Sequence, residues 1–146
     1  MLRRRDDGYE VDDDPARLDL DTIHGFLRTA YWSPGVARET VERAIEGSIP
    51  MGLYAPDGTL AGYARAVTDR ATFGYLADVF VLPEHRGRGL SRFLVSALLE
   101  HPELATLRRW LLATADAHGV YRALGFAPLE NPSRWMALQR ARPAEQ

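Results

Sequence analysis

A chain of 146 residues with 46% hydrophobic residues and a net charge of −2 has the size of one globular domain and too much apolar content for a disordered segment. The charge balance offers no general basic face to a nucleic-acid partner. The absence of cysteine excludes disulfides, thiolate metal sites and an enzyme-bound thioester intermediate.

No apolar stretch approaches the roughly 20 residues that span a bilayer. Met1 to Asp14 carries three arginines followed by acids, without the apolar run of a signal peptide. The expectation is a cytoplasmic protein with no membrane contact and no bound metal, one domain over residues 1–146 with its core at about 9–138.

Tyr9 to Val11 reads as a first short strand after a charged, frayed tail. Asp14 or Asp19 caps a helix running to about Thr29, with Leu20, Ile23, His24 and Leu27 at helical spacing. Tyr31 to Gly35 ends in Pro-Gly and is a loop. A second helix covers Arg38 to Gly47, with Val41, Ala44 and Ile45 inward. Met51 to Ala55 and Leu60 to Thr68, joined by Pro56-Asp57-Gly58, form a hairpin. Tyr75 to Leu82 is a dense aromatic and β-branched run, hence a central strand. A helix over Leu90 to Glu100 stops at Pro102. Trp110 to Thr114 is a strand. Asp116 caps a short helix through Leu124, closed by Gly125. Two last strands fall near Phe126 to Leu129 and Arg134 to Leu138, followed by a loose polar tail. The order β-α-α-β-β-β-α-β-α-β-β describes a mixed α/β domain without repeats.

The chemistry concentrates in Val79 to Ser91. A buried strand feeds a glycine-rich turn that opens a helix, so several main-chain N–H groups converge at the positive end of the helix dipole. Gly87 and Gly89 let backbone approach a ligand and can adopt positive φ. Arg86, Arg88 and Arg92 add cationic charge around the same point. A phosphate or diphosphate fits. Arg92 stands where a dinucleotide fingerprint needs a third glycine, and the Gly-Lys-Ser/Thr of an ATP loop is absent. The alternative is a tight turn with no ligand.

The segment Arg86-Gly87-Arg88-Gly89-Leu90-Ser91, behind Val81-Leu82-Pro83, resembles the acetyl-CoA-binding motif of the GNAT N-acyltransferases, Arg/Gln-x-x-Gly-x-Gly/Ala, with Ser91 in the last position as a possible helix cap. Ala117 to Phe126 resembles the family's Ala-x-x-x-Tyr-x-x-x-Gly-Phe signature. The resemblance implies a central, mixed, twisted sheet of about six or seven strands with about four helices, splayed between the fourth and fifth strands. It implies acetyl transfer from acetyl-CoA to a primary amine, on a small molecule or a peptide, by direct attack. The amides of Arg86, Gly87, Arg88, Gly89, Leu90 and Ser91 would hold the CoA diphosphate. Val79, Phe80 and Val81 would pair with pantetheine through main chain, along a strand whose bulge frees its edge. Thr114 replaces the family's usual cofactor-contacting asparagine. Tyr121 stands at the general-acid position, where a donor to the departing thiolate is useful. A homodimer is the family's frequent arrangement.

The base is open at this stage. Asp78, a carboxylate inside an apolar strand, is a candidate because burial would raise its pKa; a structural ion pair is the alternative reading. His118 is a second candidate, and water without a dedicated base a third answer. His24 and His101 read as ordinary surface or helix residues. Tyr31 and Trp32 either wall an acceptor site, stacking on a cation, or staple their loop to the core; Phe73 and Tyr75 are similar. The run Asp12-Asp13-Asp14 reads as a solvated stretch. A noncatalytic acyl-CoA-binding module and a protein-interaction domain with an incidental turn are the competing functions.

Overall fold

The charged N-terminus is sheet rather than frayed tail. In the computed structural model, which describes residues 1–141, β1 (Leu2–Arg4) pairs antiparallel with β2 (Glu10–Asp12). Gly8, at φ +94, turns the chain between them. Ion pairs bridge this corner. Arg4 pairs with Glu10 at 2.8 Å, Arg17 reaches Asp12 at 3.1 Å, and Arg17 also pairs with Glu10. The acidic run is likewise structural: Asp12 takes Arg17, Asp13 takes His101 at 2.7 Å, and Asp14 caps a short 3-10 turn at Pro15–Arg17. His101 is therefore buried, not a surface residue.

Both expected caps are used, because Asp19 caps α1 (Leu20–Leu27) through the Thr22 N–H. After α2 (Arg38–Glu46) come β3 (Ile49–Tyr54), β4 (Leu60–Thr68) and β5 (Phe73–Val81). Asp57 and Gly58, the latter at φ +89, close the first hairpin. Asp69 closes the second, accepting from the N–H groups of Ala71, Thr72 and Phe73. These bonds to its charged form, with that from the Thr72 hydroxyl, hold its carboxyl far below the ordinary range. Helix α3 (Leu90–Leu99) leads to β6 (Arg109–Leu111) and α4 (His118–Ala123).

The sheet has six strands in sequential order, antiparallel except for the parallel pair β5–β6. One face is buried against α3 through Met51, Leu53, Leu76, Leu94 and Leu98. The other is buried against α1 and α2 through Ile23, Leu27, Val41, Tyr63 and Phe80. Strands covered on both sides need near-continuous apolar sequence, which is what β3 supplies. Gly62 lies where β4 and β5 run close together: a Cβ there would sit 2.6 Å from the Phe80 carbonyl oxygen.

The strands expected at Phe126 to Leu129 and Arg134 to Leu138 do not form. Pro128 and Pro132 lack the N–H a ladder needs, and the segment pairs with no strand among the described residues. Trp135 instead lies against the Arg109 guanidinium, 5.4 Å from the ring centre, and Met136 and Leu138 face solvent. The sheet reaches six strands because β1 was added at one edge while the C-terminal pair was lost at the other.

Candidate active site

Strand β5 hands over to α3 through a turn whose main-chain donors are left open. Gly87 and Gly89 adopt φ +80 and +70, the left-handed conformation that glycine enters without steric cost. Gly89 is the N-cap of α3 and supplies no side-chain cap. Ser91, expected as a possible cap, makes no such bond. The N–H groups of Gly87, Arg88, Gly89, Leu90 and Ser91 have no acceptor among the described residues. Open donors at a helix N-terminus favour an anion. The turn borders a cavity of about 410 Å³ lined by Arg86, Gly87, Gly89, Ser91 and Arg92. Arg86 also anchors the turn, since its Nε donates to the Val81 carbonyl at 2.9 Å.

The strand feeding the turn contains a bulge. Tyr63 faces Phe80 and Arg65 faces Ala77, so β4 has one residue where β5 has two, Asp78 and Val79. Asp78 takes up the extra length at φ +56, a conformation that aspartate tolerates better than most residues. The phase of the strand changes there. Leu76 faces α3, and so do Val79 and Val81. Strand β6 pairs only with Phe73–Tyr75, and beyond that point the two strands part. Because the Leu82 N–H bonds to Ala61, alternation turns Phe80 toward β4 and leaves Val79 and Val81 facing the gap. Phe80, expected as a main-chain contact, turns its main chain toward β4 and stacks its ring on Phe26 at 4.1 Å, while still bordering the gap beside Val79 and Val81.

The gap continues from the turn as a second cavity of about 330 Å³ bordered by Val79, Val81, Ser91 and Tyr121. A third, of about 640 Å³, adjoins it and is lined by Val36, Thr40, Arg65, Tyr75, Asp78 and Leu112 among others. Tyr31, Trp32, Val79 and Tyr121 border both. The three spaces form one groove from the glycine turn to an apolar chamber.

The loop between α1 and α2 straps this groove. The Tyr31 hydroxyl accepts from the Ala115 N–H at 3.1 Å, beyond β6. The Trp32 Nε1–H donates to Asp78 Oδ1 at 2.9 Å, on β5. Arg65 Nε donates to Asp78 Oδ2 at 2.7 Å, and its Nη1 reaches Ser48 at 3.0 Å. Both Asp78 oxygens are therefore engaged, and the carboxylate is an anchor for the loop rather than an unoccupied base.

Tyr121 is placed by a helix end. The Phe126 N–H bonds to the Tyr121 carbonyl at 3.0 Å and the Gly125 N–H to Arg122 at 3.1 Å, with Gly125 at φ +101. This is the left-handed glycine cap, completed by the contact of Phe126 with Tyr121 at 5.9 Å. The spacing Tyr-x-x-x-Gly-Phe thus fixes the tyrosine's position mechanically. Burial, then the neighbouring Tyr31 and Asp116, push its phenol upward from the ordinary value, so it stays protonated in neutral solution.

Other candidates fall elsewhere. His118 is exposed and does not line the chamber; it borders a further hollow beside Trp110 and Phe126, which shares Leu112, Ala113, Thr114 and Tyr121 with the chamber wall. His24 Nε2 lies 2.9 Å from the Val36 carbonyl oxygen. Asp116 does not cap α4, which has no side-chain cap; the Thr114 hydroxyl accepts from the N–H of Ala117, the N-cap residue itself. Tyr75 lines the chamber, whereas Phe73 does not. Arg65 was missed, and its only signal was a charge inside an otherwise apolar strand.

Comparison with known proteins bears on the same elements. A sequence model of the acetyltransferase (GNAT) family matches residues 27–126. A curated Gibberella zeae protein bearing an acetyltransferase name is 34% identical over 128 residues, covering 74% of this chain and 72% of its own length. A Xanthomonas campestris pv. campestris crystal structure placed in the GNAT family superposes with a TM-score of 0.86 at 44% identity, over 90% of this chain and 93% of that one. A Clostridium acetobutylicum structure containing acetyl-CoA shares the fold at a TM-score of 0.64 and 14% identity, over 95% of this chain and 96% of its own. Since the matched span runs through the glycine turn, both sides of the gap and the Tyr121 helix, the chain belongs to the GNAT acetyltransferase family.

Proposed function

We propose that the chain transfers an acetyl group from acetyl-CoA to a primary amine by direct attack, with no covalent enzyme intermediate. The observation that carries this reading is the continuous groove from five open main-chain N–H groups, past Tyr121, into the chamber. Family membership supports acyl transfer; the groove supports the donor and the route. On this reading residues 1–146, with their core at about 9–138, work as one catalytic domain on a small-molecule or peptide amine in the cytoplasm.

The donor supplies a thioester-activated acyl group. Residues Gly87 to Ser91 direct N–H groups at its diphosphate, with Arg86 and Arg92 alongside. Val79 and Val81 offer main-chain groups along the gap. The amine enters the chamber as its neutral form; its lone pair forms the C–N bond while the C–S bond breaks. Tyr121 donates its O–H to the sulfur as negative charge develops there. A phenol is a weaker acid than a thiol, so its contribution is mainly that hydrogen bond, with the proton following from the solvent pool. With Asp78 engaged and His118 not among the residues lining the chamber, water takes the amine's proton.

This role for Asp78 separates two variants. Asp78→Asn keeps a residue tolerant of positive φ and one acceptor, and is expected to retain kcat within about threefold. Asp78→Ala leaves Arg65 half-buried without its partner, and is expected to lose roughly 2–4 kcal/mol of stability and to raise the acceptor KM more than it lowers kcat. Steady-state kinetics and denaturant melts read both. A hundredfold fall in kcat for Asp78→Asn would restore it as the base. The function itself is tested by thiol release from acetyl-CoA across a panel of amines. Saturable CoA binding with no release for any amine would make the chain a noncatalytic acyl-CoA module.

A further inference from the structure

The N-terminal hairpin, with the expected frayed tail in it, touches the glycine turn at two points. Arg5, in the bend between β1 and β2, donates Nη1–H to the Arg88 carbonyl at 3.0 Å. Tyr9, just before β2, places its hydroxyl 2.8 Å from His85 Nδ1. Arg5 is itself held. Its Nε and Nη2 donate to Asp7 at 3.2 and 2.5 Å, and its guanidinium lies 5.5 Å from the Phe93 ring centre on α3 and 6.0 Å from that of Tyr9.

The consequence lies in the peptide joining Arg88 to Gly89. No peptide bond among the described residues is cis, so the Arg88 carbonyl and the Gly89 N–H point in opposite directions across one rigid plane. Arg5 occupies the carbonyl side. The cavity at the turn is lined by Gly87, Gly89 and Ser91 but not by Arg5, so the N–H side faces the cavity. Gly87 and Gly89 flank this region at positive φ, and glycine backbone is free to rotate. A reversed peptide would aim an oxygen at any bound phosphate. An external hold on the carbonyl prevents that reversal and polarises the amide toward stronger donation.

We propose that Arg5 is a positioning residue for donor binding, locking the Arg88–Gly89 peptide with its N–H toward the diphosphate. This rests on the acyl-CoA reading of the turn, and its test is arranged so that the two can fail separately.

The experiment compares wild-type protein with Arg5→Met, Arg5→Ala and Arg5→Lys, titrating coenzyme A by calorimetry and measuring acyl transfer from acetyl-CoA and from S-acetylpantetheine, which lacks the diphosphate. Arg5→Met keeps an apolar stem over Phe93, so folding, monitored by thermal melts, is protected where Arg5→Ala loosens the hairpin. The expected result is a weakening of coenzyme A binding by about tenfold in Arg5→Met, partial recovery in Arg5→Lys, and kcat/KM for S-acetylpantetheine within about twofold of wild type. The loss persists at about 0.5 M salt, where a bare charge effect would be screened. Coenzyme A affinity unchanged in a folded Arg5→Met, or equal losses for both donors, overturns the assignment. Failure of the wild-type protein to bind coenzyme A would overturn the donor reading itself.

Discussion

Gly89→Glu is expected to abolish measurable coenzyme A binding, a loss of at least about a hundredfold. Three costs act together. Gly89 sits at φ +70, where a residue with a Cβ is strained by roughly 1–2 kcal/mol. The carboxylate adds like charge to a position meant for phosphate oxygens. The new Cβ would also lie 4.0 Å from Arg5 Nη1, so the glutamate would compete for the guanidinium that holds the Arg88 carbonyl. Gly25→Glu is the control: it adds the same charge on the exposed side of α1 and should leave the titration unchanged. Affinity within threefold of wild type for Gly89→Glu would remove the turn from donor binding.

Tyr121→Phe is expected to lower kcat by about 10–100-fold with coenzyme A affinity preserved. The helix cap explains why binding should survive. Phe keeps the contact with Phe126 and the main-chain bonds through Gly125, so only the hydroxyl is lost. The pH profile adds an independent sign. The protonated phenol is the working form and burial raises its pKa above the ordinary 10.0; loss of rate through its ionisation therefore belongs above pH 10, not in the neutral range. An unaltered rate in Tyr121→Phe would make Tyr121 a packing residue.

Local grammar explains most of what the sequence revealed. The strand-to-helix turn, the glycines at positive φ and the cap at Gly125 each depend on neighbours within a few positions, and each formed as expected. The misreadings share the opposite property. Whether Asp12 and Asp13 solvate or pair depends on Arg17 and the distant His101 meeting them in the fold. A bulge in this strand was expected from the resemblance, but its placement at Asp78 arises from the register between β4 and β5, which no window on β5 contains. That one displaced residue sends Asp78 to Arg65 and Trp32, distant in sequence. It also turns the main chain of Phe80 toward β4 and that of Val79 and Val81 toward the gap. Arg134 to Leu138 has strand-like apolar content but finds no partner edge, and propensity cannot supply one. The capping role given to Asp116 is filled by no side chain, the N-cap being Ala117, an outcome that side-chain chemistry alone leaves open.

The account stands or falls on whether the open amides of the glycine turn grip a diphosphate. The direct measurement is a calorimetric titration of wild-type protein with coenzyme A, with pantetheine, which lacks the diphosphate, alongside it. Saturable binding of one coenzyme A per chain is expected, with pantetheine far weaker and with thermal stabilisation of about 2.7 kcal/mol once the ligand reaches about 100 times its dissociation constant. Equal affinity for the two compounds, or no binding of coenzyme A at all, would contradict it.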